Sequence, residues 1–88
     1  MSNITHGNNP QEMQELATLL TQKSEEINQM VGQLTTKLAS TGWEGPDAGR
    51  FRSDWEGHRA KLTAIASELG TVSQTVQKNK QDQETASA

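Results

Sequence analysis

Residues 40–47 read Ser40-Thr41-Gly42-Trp43-Glu44-Gly45-Pro46-Asp47 and divide the chain into two halves of similar length. Two glycines and a proline in this short stretch favour a turn, because glycine adopts backbone angles that other residues avoid. Gly42 suits the position just after a helix, and Pro46 suits the first turn of the next one. The stretch therefore predicts a turn at residues 41–46 between two helices.

On the N-terminal side of the turn, apolar residues recur with heptad spacing in two series that share one face of a helix. The first series is Met13, Leu20, Ile27 and Leu34, and the second is Ala17, Ser24, Val31 and Leu38. Asn9 followed by Pro10 is typical of a helix start. We therefore predict a helix over residues 10–40, preceded by a flexible polar arm over residues 1–9.

The C-terminal side shows the same heptad spacing with more regularity. One series is Ala48, Trp55, Leu62, Leu69 and Val76, and the other is Phe51, His58, Ile65 and Val72. A pattern sustained over this length predicts a helix at residues 47–76 with both series in one packed seam. The polar residues 77–88 predict a flexible tail, with a helical extension over residues 78–84 left open.

A short connection between two long helices predicts an all-α, antiparallel helix-turn-helix hairpin over residues 10–76. The chain is 31% hydrophobic and only 3% aromatic, which is little core material for 88 residues. A hairpin also leaves part of each apolar stripe uncovered, so we expect it to dimerise into a four-helix bundle. The predicted interface comprises Met13, Leu20, Ile27, Val31, Leu34, Leu38, Phe51, Trp55, Leu62, Ile65, Leu69 and Val72.

The sequence lacks the residues that several classes of function require. The net charge is −3 without clustered Lys or Arg, which argues against nucleic-acid binding. There is no cysteine, no nucleophile elbow and no phosphate-binding glycine loop, so we predict no enzyme, no catalytic residues, no metal and no cofactor. His58 fits a residue of the packed seam, or alternatively a pH switch. No stretch is apolar enough for stable membrane insertion, and the N-terminus lacks the pattern of a cleavable signal peptide.

The Trp43-Glu44-Gly45 turn between two amphipathic helices, followed by Ala48, Phe51 and Trp55 at seam spacing, resembles the Trp-Xaa-Gly (WXG) family of ESAT-like proteins, above all its actinobacterial members. The resemblance covers residues 10–76. It implies synthesis in the cytoplasm and secretion, as a folded dimer with an identical or paralogous chain, through a type VII (ESX-like) system driven by a membrane ATPase. Trp43 and Gly45 are the motif residues. Trp43 then either covers the end of the bundle or contributes to an exposed recognition surface.

One departure from the family concerns a Tyr-x-x-x-Asp/Glu signal that many exported members carry after the second helix. This chain contains no tyrosine. Either the partner carries the signal, or another feature replaces it, or this member is not itself exported. The alternatives to a secreted dimer are a cytosolic adaptor or chaperone that pairs with a helical segment of a larger type VII effector or toxin, and a generic coiled-coil scaffold.

Overall fold

The computed structural model describes residues 9–87, and the predicted arm lies outside them except for Asn9. The chain forms two helices, α1 over Pro10–Ser40 and α2 over Pro46–Ser87. Asn9 caps α1, because its side chain accepts a hydrogen bond of 3.0 Å from the backbone N–H of Glu12. This cap accounts for the start of α1 at Pro10.

The predicted end of α2 at residue 76 is wrong, since the helix continues through the described part of the predicted tail. This extension contains no glycine or proline and is rich in Gln and Lys, which favour a helix even without an apolar stripe. Two ion pairs with helical spacing support it, Lys78–Asp82 at 2.9 Å and Lys80–Glu84 at 3.2 Å. The molecule is 63 Å long, which matches the length of α2 alone.

The two helices lie antiparallel and contact each other along a line of residues that we call the hairpin seam. Its members are buried or half-buried and alternate at spacings of three and four residues, which is the spacing of one helix face. In α1 they are Met13, Ala17, Leu20, Ser24, Ile27, Val31, Thr35 and Leu38. In α2 they are Ala48, Arg52, Trp55, Arg59, Leu62, Ala66, Leu69, Ser73, Val76, Lys80 and Gln83.

Small side chains bring the helices close together over half of the seam. Ala17, Ala66 and Ser73 are almost completely buried. The Ser24 hydroxyl donates to the carbonyl of Ala66, and the Ser73 hydroxyl donates to the carbonyl of Ala17, both at 2.7 Å. A serine side chain reaches the backbone of a neighbouring helix only when the two backbones are close, so these contacts fix the level at which α1 meets α2.

The second predicted series of α2 does not lie in the hairpin seam. Phe51, His58, Ile65 and Val72 are all exposed. In the hairpin seam the Trp55 series is combined with a different series, which lies one residue further along the chain than the Phe51 series. It begins at Arg52 and continues through Ala66 and Ser73. Leu34 of α1 is likewise exposed, and Thr35 takes its place. The hairpin by itself thus covers only one of the two series of α2. Eight of the predicted interface residues are buried or half-buried within it: Met13, Leu20, Ile27, Val31, Leu38, Trp55, Leu62 and Leu69.

Candidate interaction surface

All exposed large apolar residues of the two helices share one feature: each immediately precedes a residue of the hairpin seam. They are Leu16, Leu19, Met30 and Leu34 in α1, and Phe51, Ile65 and Val72 in α2. One residue corresponds to a rotation of about 100° around a helix, so each set flanks the seam in the same rotational sense. A twofold rotation about an axis perpendicular to the plane of the two helices superimposes one antiparallel helix on the other. A residue that lies above this plane stays above it after the rotation. Both sets therefore lie on the same side of the hairpin, which we call the apolar face.

The opposite side of the hairpin has a different composition. Its residues immediately follow seam residues, and none of them is large and apolar. In the order of the chain they begin Gln14, Thr18, Thr21, Glu25, Asn28, Gly32, Thr36 and Ala39, and continue in α2 with Gly49, Ser53, Glu56, Ala60, Thr63, Ser67 and Gly70. The exposed large apolar side chains are therefore confined to one side of the hairpin, and exposed apolar groups gathered on one side are typical of a contact surface.

All three aromatic residues of the sequence lie at the turn end of the hairpin. Phe51 stands between the two tryptophans, with its ring centroid 6.3 Å from that of Trp43 and 6.3 Å from that of Trp55. Trp55 is buried, and its indole N–H donates to the Thr35 hydroxyl at 2.9 Å. Trp43 is 41% exposed. The three rings thus form a row that leads from the interior of the hairpin to an exposed indole in the turn.

Arg52 holds the turn in place, a role that the sequence patterns did not indicate. Its guanidinium donates to the carbonyls of Trp43, Leu38 and Thr41 at 2.6, 3.0 and 3.0 Å. These groups lie at and beyond the C-terminal end of α1, where carbonyls lack helical partners and the helix dipole favours a cation. The same guanidinium carbon lies 5.9 Å from the centre of the Trp43 ring. One side chain therefore satisfies the end of α1 and orients Trp43.

Gly45 is the glycine that the turn requires. Its φ is +108°, whereas no positive φ occurs at Gly42 or at any other residue of the described chain. The Gly45 carbonyl accepts a hydrogen bond of 3.1 Å from the N–H of Gly49, in the first turn of α2. Any other residue at position 45 would have a strained backbone, although nothing lies within 4 Å of an added Cβ. Backbone geometry thus explains the glycine of the Trp-Xaa-Gly motif. Gly42 does not adopt the left-handed conformation that would end α1.

We expect Gly45→Ala to lower the free energy of unfolding by about 1–3 kcal/mol, because alanine must adopt a φ that its Cβ disfavours. Gly42→Ala provides the matched control. That position has an ordinary φ and nothing within 4 Å of an added Cβ, so its melting temperature should stay the same or rise slightly. Thermal melts followed by circular dichroism compare the two variants, and equal melting temperatures would contradict the assignment.

Within residues 9–87, neither a metal site nor a membrane span stands out. No group of three or more His, Asp or Glu residues is placed to hold a metal ion. No described helix is both long and apolar enough to cross a membrane. His58 lies on the apolar face. Together with Phe51, Trp55, Lys61 and Leu62 it lines a shallow pocket.

No family model, curated protein or solved structure matches the chain.

Proposed function

We propose that this chain is an ESAT-like Trp-Xaa-Gly protein that acts by protein–protein interaction, as a folded dimer exported through a type VII secretion system. Its partners are an identical or paralogous hairpin and the membrane ATPase of that system, with a larger effector as a further candidate. The observation that carries the proposal is the apolar face of the hairpin, which ends at the exposed Trp43 of the turn. Covering this face with a second hairpin yields a four-helix bundle and leaves the turns accessible at its ends.

Trp43 is suited to recognition because it combines exposure with a fixed position. A partly exposed, oriented indole loses little conformational entropy on binding, and tryptophan is frequent among interface hot spots. Arg52 and Phe51 both contact the indole, since the guanidinium carbon lies 5.9 Å and the Phe51 ring centroid 6.3 Å from the centre of the Trp43 ring. The secretion ATPase is the partner that the family resemblance suggests for this surface.

We expect Trp43→Ala to reduce the amount of protein in the culture medium by at least about ten-fold, while the hairpin still folds and dimerises. Loss of a half-exposed indole costs less stability than the roughly 3–5 kcal/mol of a buried tryptophan, since part of the ring already contacts water. Export is measured in the native host by immunoblotting of medium and cells, with a cytosolic protein as the lysis marker. Glu44→Ala, at the exposed neighbouring position, is the control and should be exported normally.

Two results would contradict this assignment. Normal export of a folded, dimeric Trp43→Ala variant would show that the turn is not the recognition site. Loss of folding, dimerisation and export together would give Trp43 a structural role only.

A cytosolic adaptor that pairs with a helical segment of a larger type VII effector is the second candidate. The absence of tyrosine favours it, because the chain lacks the Tyr-x-x-x-Asp/Glu signal of many exported relatives. The apolar face fits two effector helices as well as it fits a hairpin. Retention of the protein in cells, with a larger protein co-purifying in a fixed stoichiometry, would select this candidate over the secreted dimer.

A further inference from the structure

We propose that Arg52 is the positioning residue of the recognition surface: it keeps the turn in the one conformation that presents the Trp43 ring to a partner, and it acts on recognition through Trp43. The inference rests on the proposed function in that Trp43 is the residue that a partner recognises. It adds the residue on which this recognition depends. The observation that carries it is that one guanidinium contacts both the backbone and the ring of Trp43.

The turn by itself has few restraints. One backbone hydrogen bond within it joins the N–H of Trp43 to the carbonyl of Thr41 at 2.9 Å. Gly42 and Gly45 lie on either side of Trp43 and Glu44, and nothing lies within 4 Å of a Cβ added at either glycine. Because glycine has more backbone freedom than any other residue, a turn with two glycines adopts many conformations unless other contacts hold it. The turn alone would therefore leave Trp43 in several positions.

Arg52 supplies the missing restraint from α2. It lies half-buried in the second turn of that helix, and its guanidinium reaches three points along the preceding chain: Leu38 in the last turn of α1, Thr41 just after α1, and Trp43 itself. A guanidinium is planar and its N–H groups have fixed directions, so three carbonyls that bind it keep fixed relative positions. The path of the chain from Leu38 to Trp43 is thereby tied to α2.

The same group also restrains the Trp43 side chain. The guanidinium carbon lies 5.9 Å from the centre of the indole, within the range of a cation–π contact, and the Phe51 ring contacts the indole as well. Since Arg52 holds both the carbonyl and the ring of Trp43, the backbone and the side chain cannot move independently. The part of the indole that stays exposed is thus prepared for binding, which reduces the entropy lost when a partner binds it.

Satisfying the end of α1 does not by itself require an arginine. The bonds to the carbonyls of Thr41 and Trp43 lie in exposed surroundings, so water can replace the guanidinium there at little cost. Loss of Arg52 should therefore leave a folded hairpin in which the turn and the indole are mobile. This difference between folding and positioning makes the inference testable.

Arg59 offers a matched comparison in the same seam. It lies one heptad further along α2, about 10 Å from Arg52 along the helix axis, and is half-buried like Arg52. Its guanidinium forms an ion pair of 3.0 Å with Glu56 of the same helix. Arg59→Gln therefore removes the same charge from the same face of α2 at a distance from the turn.

Fluorine NMR of fluorotryptophan-labelled protein tests the positioning directly. The chain contains two tryptophans, and Trp43→Phe identifies their resonances. We expect Arg52→Gln to move the Trp43 resonance towards that of free fluorotryptophan, with a much smaller change at Trp55. Arg52→Lys should have an intermediate effect, because an ammonium keeps the charge but cannot span three carbonyls. Arg59→Gln should leave the Trp43 resonance in place, and circular dichroism should show unchanged helix content in all variants.

Export into the medium tests the consequence for recognition. We expect Arg52→Gln to lower export at least about ten-fold, as Trp43→Ala does, because a mobile indole is a poor interface anchor. Arg52→Lys should be exported at an intermediate level and Arg59→Gln normally. If Arg52 acts through Trp43, adding Arg52→Gln to Trp43→Ala causes no further loss. The medium is concentrated until the residual export of Trp43→Ala is measurable, so that a further loss would be detected.

An unmoved Trp43 resonance in Arg52→Gln overturns the inference and leaves the proposed function intact. Normal export of Arg52→Gln beside impaired export of Trp43→Ala does the same, as does a further loss in the double variant. Loss of helix content in both Arg52→Gln and Arg52→Lys would give Arg52 a structural role only, which also overturns the inference. If the resonance moves but Trp43→Ala and Arg52→Gln are both exported normally, the recognition role of Trp43 fails, and the inference fails with it.

Discussion

Replacement of Trp55 with alanine is expected to lower the free energy of unfolding of the hairpin by about 3–5 kcal/mol. Trp55 is only 7% exposed, contacts the ring of Phe51 and donates a hydrogen bond to Thr35. Its removal opens a cavity at the turn end of the seam. Small domains are commonly stable by only about 5–15 kcal/mol, so the variant should have a much lower melting temperature or no cooperative transition.

Trp55→Phe separates the ring from the hydrogen bond. Phenylalanine keeps an aromatic ring against Phe51 but lacks the indole N–H, so the loss should be smaller than that of Trp55→Ala. Melts at several protein concentrations distinguish unfolding of the hairpin from dissociation of a dimer, because only dissociation depends on concentration. A Trp55→Ala variant with an unchanged melting temperature would show that the Trp55 series does not form the hairpin seam.

Replacement of Ile65 with aspartate is expected to abolish pairing at about 50 μM protein, which corresponds to raising the dissociation constant into the millimolar range. Ile65 is 46% exposed in the hairpin, so the helices lose little contact. In a complex formed through the apolar face, however, the substitution buries a carboxylate without a partner, which is strongly unfavourable. Sedimentation velocity measures the loss of the dimer, and circular dichroism measures the helix content, which should remain high.

Thr63→Asp is the matched control for this prediction. Thr63 is exposed and follows a seam residue of α2, so it lies on the side opposite the apolar face. It should dimerise like the original chain. Equal behaviour of the two aspartate variants would show that the apolar face is not the pairing surface.

The two heptad series of α2 also make different contributions to stability. From the sequence alone, truncation of Leu62 and truncation of Ile65 are expected to have similar effects, since both lie in one predicted seam. In the folded hairpin Leu62 is half-buried against α1, whereas Ile65 is exposed. Leu62 therefore stabilises the hairpin itself, and the contribution of Ile65 depends on a partner.

Much of the local structure follows from the sequence by itself. Asn9 and Pro10 define the start of α1, and the glycines with Pro46 define the turn, because capping and turn formation depend on residues that are neighbours in the chain. The heptad spacing correctly predicts two helices with apolar stripes, since it reflects the periodicity of a single helix. The motif residues Trp43 and Gly45 are also visible in the sequence, although the positive φ of Gly45 is not.

Only the tertiary structure decides which edge of each stripe the hairpin buries. An apolar stripe wider than about 100° contains more than one line of residues that could pack against a neighbouring helix. The periodicity therefore does not indicate whether Phe51 or Arg52 lies beside Trp55 in the hairpin seam. The choice follows from contacts between residues far apart in the chain, such as Ser73 with Ala17, where small side chains allow close approach and hydroxyls bond to the opposite backbone. Arg52 is missed for the same reason, because its carbonyl partners at the end of α1 come within reach only after the chain has turned back on itself.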